Sequence, residues 1–514
     1  MSGPGRDDEV GTADEAVTAD GPVRLEPTEA VSQVARRRRA LRPVAGRTAA
    51  VVAVAAVIVG VAVVSALAPT PTPPPAPPSG DAVAVAPVDA HASSFFCATA
   101  VGSDAGSGAG AAIVLANTSA TPAVGTETAV AASGGNPVRT SISVPAHGTA
   151  AVNPAAGLGA GASASSFAFA RGGVTGTAVV ASPQGWSTAP CTTHVSPQWD
   201  FAGGSTASGL LDLSLYNPTA GPAVVDVTFL TSGGTVLDPQ AYQGIAVGPQ
   251  QVVVEALGSY VQNQTVVATL VQATSGALVA TELDQLAVST GSGLALLDGT
   301  PGPAATWRFA QTTAVSGGTV TLAVANPGTA PVTVQVTAGL PGATVLPHQL
   351  TVPARTVVPY AVSSIAGWPL GSPYSLTVSA TGPIVVGRTV AGPAAGGPPQ
   401  AGIVGGASGT SSSWLVGGPG QPGAPAVPGG SIASLAVADP GPSPVDVSVT
   451  PLAGGRPVAT ARVPSGGVAV FGPKLVGGLE PLVVTASGPV TVEMDGAPTA
   501  APGVVSSHGF ALGG

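Results

Sequence analysis

The sequence predicts an all-β chain of about four tandem β-sandwich repeats that follow one N-terminal transmembrane helix. A degenerate repeat of about a hundred residues is written four times. Apolar and polar side chains alternate within each copy, and one stretch near the N-terminus is apolar enough to span a bilayer. Three copies open on a tryptophan and reach an Asn-Pro or Asp-Pro turn, with these anchor residues: Trp199 and Asn217, Trp307 and Asn326, Trp414 and Asp439.

The N-terminal part predicts a membrane anchor. Residues 1–47 are expected to form a disordered cytoplasmic tail, and residues 48–68 a transmembrane helix. The run Ala49–Ala68 carries no charge and matches a hydrocarbon core of about 30 Å. Basic residues stay on the cytoplasmic side, so the bulk of the chain is expected outside. The basic run is Arg36, Arg37, Arg38 and Arg39. A signal peptide cleaved after Ala68 remains the alternative.

Residues 69–90 are rich in proline and predict a semi-rigid linker between the membrane and the first repeat. The repeats are expected at 91–195, 196–300 and 301–395, with a linker and the fourth repeat over 396–514. Glycine, proline and serine dominate the first part of that last segment, which favours a long loop.

Alternation with a period of two predicts the strands of each repeat. Leu211, Leu213 and Leu215 alternate with polar residues, and the other copies repeat this pattern. Such alternation places one face in a core and the other in water. The pattern yields about seven short strands per hundred residues, the number expected for an immunoglobulin-like sandwich.

Two cysteines bracket the first repeat. Cys97 and Cys191 are the only cysteines and both follow the anchor, where disulfides persist. We expect a disulfide that ties the ends of the first sandwich, and a pair of buried free thiols is the alternative.

The charge pattern and the motifs argue against catalysis and against nucleic acid. The formal net charge is −9, which offers no footprint for a phosphate backbone. Catalytic, cofactor-binding and metal-binding residues are not predicted, so the chain is expected not to be an enzyme. Two acidic pairs suggest acid/base or weak Ca²⁺ chemistry, but solvated strand faces explain them more simply. These pairs are Asp212 with Asp226 and Glu282 with Asp284.

The tryptophans allow two interpretations. Aromatic faces suit the stacking of sugars, but Trp199, Trp307 and Trp414 recur at one repeat position. A recurrent position favours a core anchor inside each sandwich.

The chain resembles an actinobacterial family of membrane-anchored extracytoplasmic proteins of unknown function. The resemblance rests on the anchor with a cytoplasmic N-terminus, the proline-rich stalk, and the repeats that run from a tryptophan to an Asn-Pro turn. The repeats also look like bacterial immunoglobulin-like adhesion and spacer domains. The resemblance implies a role in cell-envelope assembly beside a membrane glycosyltransferase. The first copy departs from the pattern, with Phe95-Phe96 in place of tryptophan.

These features predict a single-pass membrane protein that acts as a non-catalytic scaffold or interaction protein of the cell envelope. A carbohydrate-binding or glycan-assembly accessory protein is the alternative function. The expected partners are the membrane, through one helix, and an envelope protein or a glycan. Nucleic acid is not expected among the partners.

Overall fold

The computed structural model describes residues 90–99, 110–158, 161–207, 210–312, 317–340, 343–344, 346–365, 368, 371–393, 399–417, 431–476, 481–498 and 505–512. All of them belong to one compact body, Pro75–Gly514. The predicted transmembrane helix, the arginine run and the linker up to residue 89 lie outside these residues. Within the described ranges, no helix is long and apolar enough to cross a membrane.

The all-β prediction is confirmed, because strands dominate every described segment. The exceptions are one helical turn, α1 (Pro473–Val476), and three short 3₁₀ turns at Gln240–Tyr242, Leu257–Ser259 and Val362–Ser364. The strands fall into four successive groups, here called repeats 1 to 4.

Repeat 1 is a sandwich of two four-stranded antiparallel sheets. Its strands are β1 (Ser93–Ala98), β2 (Gly110–Asn117), β3 (Ala123–Ala131), β4 (Val138–Val144), β5 (Thr149–Val152), β6 (Ser163–Phe169), β7 (Val174–Ser182) and β8 (Gly185–Pro190). The first sheet has the order β1-β6-β3-β4, and the second has the order β5-β2-β7-β8. The opening strand thus lies in the first sheet and the closing strand in the second.

Repeat 2 follows the same plan. Its strands are β9 (Gln198–Gly204), β10 (Leu211–Asn217), β11 (Ala223–Thr231), β12 (Val236–Leu237), β13 (Ile245–Val247), β14 (Gln251–Ala256), β15 (Val267–Ser275), β16 (Val279–Val288) and β17 (Gly291–Asp298). The first sheet is β9-β15-β11-β12, with β13 also on β11, and the second is β14-β10-β16-β17.

In repeat 3, one long strand serves both sheets. The strands are β18 (Ala304–Thr312), β19 (Thr319–Asn326), β20 (Val332–Leu340), β21 (Ala343–Thr344), β22 (His348–Val352), β23 (Thr356–Ala361), β24 (Tyr374–Gly392) and β25 (Gln400–Gly405). The first half of β24 pairs with β18 and β20, and its second half pairs with β19 and β25.

Repeat 4 has the same long crossing strand. Its strands are β26 (Ser411–Val416), β27 (Ser431–Ala438), β28 (Val445–Pro451), β29 (Ala459–Val463), β30 (Val468–Phe471), β31 (Leu482–Pro498), β32 (Val505–His508) and β33 (Phe510–Ala511). The two ends of β31 pair with β26 and β28 and with β27 and β32.

The boundary between repeats 3 and 4 differs from the expectation that a linker begins at residue 396. The strand β25 pairs along β24 and completes the second sheet of repeat 3. The strand β26 then opens repeat 4 within the stretch that the composition marked as loop. The glycine just after β25 leaves room for aromatic rings, since a Cβ on Gly406 would lie 3.1 Å from the Trp307 and Phe309 rings.

The tryptophans are core anchors and not exposed sugar platforms. Trp199, Trp307 and Trp414 are at most 1% exposed. Each indole Nε1 donates to a backbone carbonyl where the chain crosses from the first sheet to the second. The acceptors are Leu278 at 2.7 Å, Ile384 at 2.8 Å and Val490 at 3.1 Å. A buried indole N–H needs such a partner, which fixes the ring position in repeats 2 to 4.

In repeats 1 to 3 a buried asparagine ties two turns together. The Asn217 Nδ2 donates to the carbonyl oxygens of Gly221 at 2.8 Å and Val247 at 3.0 Å. Its Oδ1 accepts the Thr219 N–H at 3.0 Å. Asn326 makes the equivalent bonds. Asp439 of repeat 4 can make only the bond in which the side chain accepts, because a carboxylate has no N–H to donate. Its Oδ1 accepts the Gly441 N–H at 2.7 Å, and its buried Oδ2 has no hydrogen-bond partner among the described residues.

Consecutive repeats pack face to face. The outer face of each first sheet lies on the outer face of the next second sheet, through small apolar clusters. The clusters include Ala98 and Ala164 with Tyr216 and Val279, Ala202 and Leu230 with Ala323 and Val385, and Ala310 with Ala436 and Val468.

The same contact also joins repeat 4 to repeat 1, so the four repeats form a closed ring. Leu415, Phe510 and Leu512 of repeat 4 pack on Ala116 of repeat 1. The closing strands β8, β17, β25 and β32 contact one another in that order, and β32 contacts β8. They therefore meet at the centre of the ring.

The ring changes the burial expected from alternation. The outer strand β11 alternates between buried and half-buried residues over Ala223–Thr228, as predicted. The inner strand β10 is buried at every residue, because one face lies in its own core and the other on repeat 1. The prediction that one strand face meets water is therefore wrong for the inner strands.

The Asp439→Asn substitution is expected to stabilise the protein. The asparagine amide would place an NH₂ group where the equivalent asparagines donate to two backbone carbonyls. This NH₂ group would replace the Asp439 Oδ2, the buried oxygen that has no partner. We expect a gain of about 1 kcal/mol in the free energy of unfolding, measured by chemical denaturation.

The reverse change, Asn217→Asp in repeat 2, is the matched control and should destabilise by about 1–3 kcal/mol. Equal effects of the two changes in the same direction would contradict this assignment of the side-chain amide.

Candidate functional site

A pocket lies where the closing strands of all four repeats meet. Each repeat opens on an aromatic residue of its first strand, and the residue after this aromatic forms a β-bridge with a residue just past the closing strand. The bridges are Phe96 with Thr192, Asp200 with Thr300, Arg308 with Ala407 and Leu415 with Phe510. Two residues before these partners stand Pro190, Asp298, Gly405 and His508. These four equivalent residues line one pocket of about 80 Å³, here called the central pocket.

Glycine at the next repeat position makes room for the tryptophan. A Cβ on Gly299 would lie 3.0 Å from the Trp199 Cβ and 2.7 Å from the Phe201 ring. Gly406 and Gly509 face Trp307 and Trp414 in the same way. The contact at Gly299 is closer than a real Cβ allows, and those at Gly406 and Gly509 are tight enough that the neighbouring ring would have to shift, so glycine suits the position that faces the tryptophan.

Repeat 1 replaces both partners of this pair. Phe95 stands at the tryptophan position, and Cys191 stands where the other repeats have glycine. The smaller ring leaves space for a side chain, and Cys191 forms the disulfide with Cys97. The bond closes a loop of 94 residues, for which chain-entropy models give about 4–5 kcal/mol.

Asp298 brings an uncompensated carboxyl group to the central pocket. The residue is half-buried by its accessible surface and lines the pocket. It forms no hydrogen bond or ion pair with any described residue. Burial raises the pKa of Asp298 to about 8, because the charged form loses its hydration.

Two histidines share the pocket wall with Asp298. The His194 ring stacks on Trp199 with 5.4 Å between centroids, and its buried Nε2 has no hydrogen-bond partner among the described residues. Burial lowers the pKa of His194, which favours the neutral ring. The His508 Nε2 lies 2.8 Å from the Gly405 carbonyl oxygen, so this nitrogen carries a hydrogen.

The acidic pairs that the sequence offered as solvated faces are largely buried. Glu282 and Asp284 are fully buried inside repeat 2, and Asp212 is covered at the interface with repeat 1. Desolvation raises the pKa of Glu282 to about 7 and that of Asp284 well above its usual value. The Asp284 Oδ2 accepts the Ser205 N–H at 3.0 Å. The solvated interpretation holds for Asp226, which is only half-buried.

An ion pair that the sequence did not reveal joins repeats 3 and 4. The Arg388 Nη2 contacts the Glu493 Oε1 at 2.5 Å, and both side chains are at most 1% exposed. The same guanidinium donates to Thr312 at 2.9 Å and lies 5.1 Å from the centroid of the Phe309 ring. Arg388 is the dominant favourable charge for Glu493 and lowers the pKa of Glu493 against the effect of burial. Removal of one partner from such a pair typically costs about 3–5 kcal/mol.

Sequence reasoning missed the central pocket because its residues are far apart in the chain. His194, Asp298 and His508 come from different repeats, and none belongs to a motif. The one available signal was the position before the repeated glycine, which carries a polar side chain at Asp298 and His508. In the described ranges, no group of three or more His, Cys, Asp or Glu side chains is arranged to hold a metal ion.

Comparison with known proteins gives a family but no activity. Residues 159–466, more than half of the chain, match a family of unknown function, DUF5719. No curated protein matches the chain.

Two solved structures are similar to this chain. The crystal structure of Thermotoga maritima 1070 is 15% identical, with a TM-score of 0.19, over 20% of this chain and 93% of that one. A tetra-tandem repeat in the extending region of a large adhesion protein is 14% identical, with a TM-score of 0.11, over 82% of this chain and 100% of that one. At these TM-scores neither structure informs the arrangement of the repeats.

The buried carboxyl groups predict that the protein loses stability as the pH rises. Burial raises the pKa of Asp200 and Glu282 to about 7 and that of Asp298 to about 8. The folded state therefore binds these protons more tightly than the unfolded chain. Their contribution is complete below about pH 4, the unfolded value, and is lost as the pH passes through 7 to 8.

We expect the free energy of unfolding to be lower at pH 9 than at pH 5 by at least about 2 kcal/mol, measured by guanidinium denaturation. The Asp298→Asn variant should show a shallower decline between pH 7 and pH 9. A protein more stable at pH 9 than at pH 5 would contradict these ionisation states.

Proposed function

We propose that this chain, which belongs to the DUF5719 family of unknown function, is a non-catalytic scaffold or interaction protein of the actinobacterial cell envelope. One N-terminal membrane helix would hold it, with four immunoglobulin-like repeats outside the membrane. The observation that carries this proposal is the closed ring, which joins the four repeats into one body with fixed spacing between its outer surfaces.

The ring supports a scaffold role because contacts between repeats bury the inner sheet surfaces, while the outer sheet edges remain open to a partner. The strands β4, β22 and β29 are hydrogen-bonded on one side only among the described residues. Their outward side chains are polar and exposed, as at Arg139, Gln349 and Arg462. A partner can add contacts at such an edge without disturbing the ring.

The disulfide supports a location outside the cytoplasm. Cys97 and Cys191 are bonded and buried, with exposures of 2% and 1%. Structural disulfides persist in extracytoplasmic compartments and are rare in the cytosol. The bond lies in repeat 1, the repeat that follows the proposed membrane anchor.

Lys474 provides a direct test of topology. It is the only lysine of the chain and lies exposed in α1. A membrane-impermeant amine reagent added to intact cells should modify Lys474, as detected by peptide mass spectrometry. Lys474→Arg, which keeps the charge, is the control. Labelling only after cell lysis would contradict the proposed topology.

A capture experiment tests the scaffold role. Intact cells that express the tagged protein are cross-linked, the membranes are solubilised, and the captured proteins are identified. We expect envelope proteins to be enriched about tenfold, the equivalent of 1.4 kcal/mol, over a variant with the outer charges reversed, Arg139→Glu with Arg462→Glu. The purified ring is tested in parallel on a glycan array. Glycan binding without protein partners would overturn the scaffold and favour the carbohydrate-binding alternative beside a membrane glycosyltransferase.

A further inference from the structure

We propose that the central pocket binds a small molecule with a primary ammonium group, with the Asp298 carboxylate as counter-ion and His194 as a second hydrogen-bond acceptor. This inference rests on the ring itself and not on the scaffold role.

The charge of the pocket is uncompensated. Among the described residues that line it, Asp298 is the one acidic side chain, and there is no lysine or arginine. The other titratable side chains of the wall are His194 and His508, one of which is favoured in its neutral form. A carboxylate that has lost part of its hydration is costly until a cation or a proton pairs with it. A ligand that carries its own positive charge removes this cost.

The acceptors suit an ammonium group. The buried Nε2 of His194 has no hydrogen-bond partner among the described residues, and Asp298 lines the same pocket. An ammonium group has three donors and no acceptor, so it can satisfy both.

Gly405 leaves space open at the pocket. It lines the pocket, and a Cβ at this position would meet no other atom within 4 Å. The volume of about 80 Å³ holds a few water molecules or a small organic group. It fits the head of an alkylammonium ion and excludes a drug-sized ligand.

The ligand must displace a proton, which gives the test. With its raised pKa, Asp298 is mostly protonated at pH 7, so cation binding releases a proton. Calorimetric titration of the full chain with methylammonium chloride at pH 7, in two buffers of different ionisation enthalpy, measures this release. We expect one site, the release of close to one proton, and affinity that rises about tenfold from pH 6 to pH 7.

Three comparisons make the test specific. Methanol, a neutral molecule of similar size, should not bind. The Asp298→Asn variant should lose at least about tenfold in affinity, while Asp446→Asn, which removes an exposed carboxylate, should bind as the unmodified chain does. Absence of saturable binding, or binding without proton release, overturns the proposal. The proton release is measured on the unmodified chain, so it decides even if Asp298→Asn fails to fold.

Discussion

Packing of the first sheet of each repeat on the second sheet of the next is the interaction on which the whole structure depends. It buries both faces of the inner strands, because each sheet has its own core on one side and a neighbouring repeat on the other. This explains a composition that otherwise suggests a membrane protein, with 8% charged residues and a mean hydropathy of +0.44. Small residues such as Ala323 and Ala436 at the interfaces let the sheets approach closely.

The same packing creates the pocket. Closure by four equivalent contacts brings one repeat position from every copy to the centre, where a rod of the same repeats would keep these residues far apart. Repeats can then specialise at that position without any change in their cores. Asp298 and His508 carry polar groups there, whereas Pro190 and Gly405 do not. The pocket therefore belongs to the ring and to no single repeat.

The sequence predicted the structural features that lie within a single repeat. Alternation located the strands, the recurrent tryptophans marked the core, and the isolated pair of cysteines indicated the disulfide, since all three signals arise from contacts inside one copy. It did not predict closure, because contacts between repeats leave no periodic pattern. For the same reason Arg388 and Glu493 were not recognised as partners across 105 residues. Glu282 was interpreted as solvated although it is buried within repeat 2, because a carboxylate in an alternating strand is usually on the polar face.

A designed disulfide between repeats 4 and 1 tests ring closure most directly. A Cβ on Gly417 would lie 3.7 Å from the Cβ of Thr177, within the usual range of about 3.5–4.5 Å for a disulfide. In the double variant Thr177→Cys with Gly417→Cys, the closed ring predicts an intramolecular bond in the monomer, detected by mass spectrometry of the unreduced protein. Two free thiols after oxidation, or bonds only between molecules, would contradict the ring.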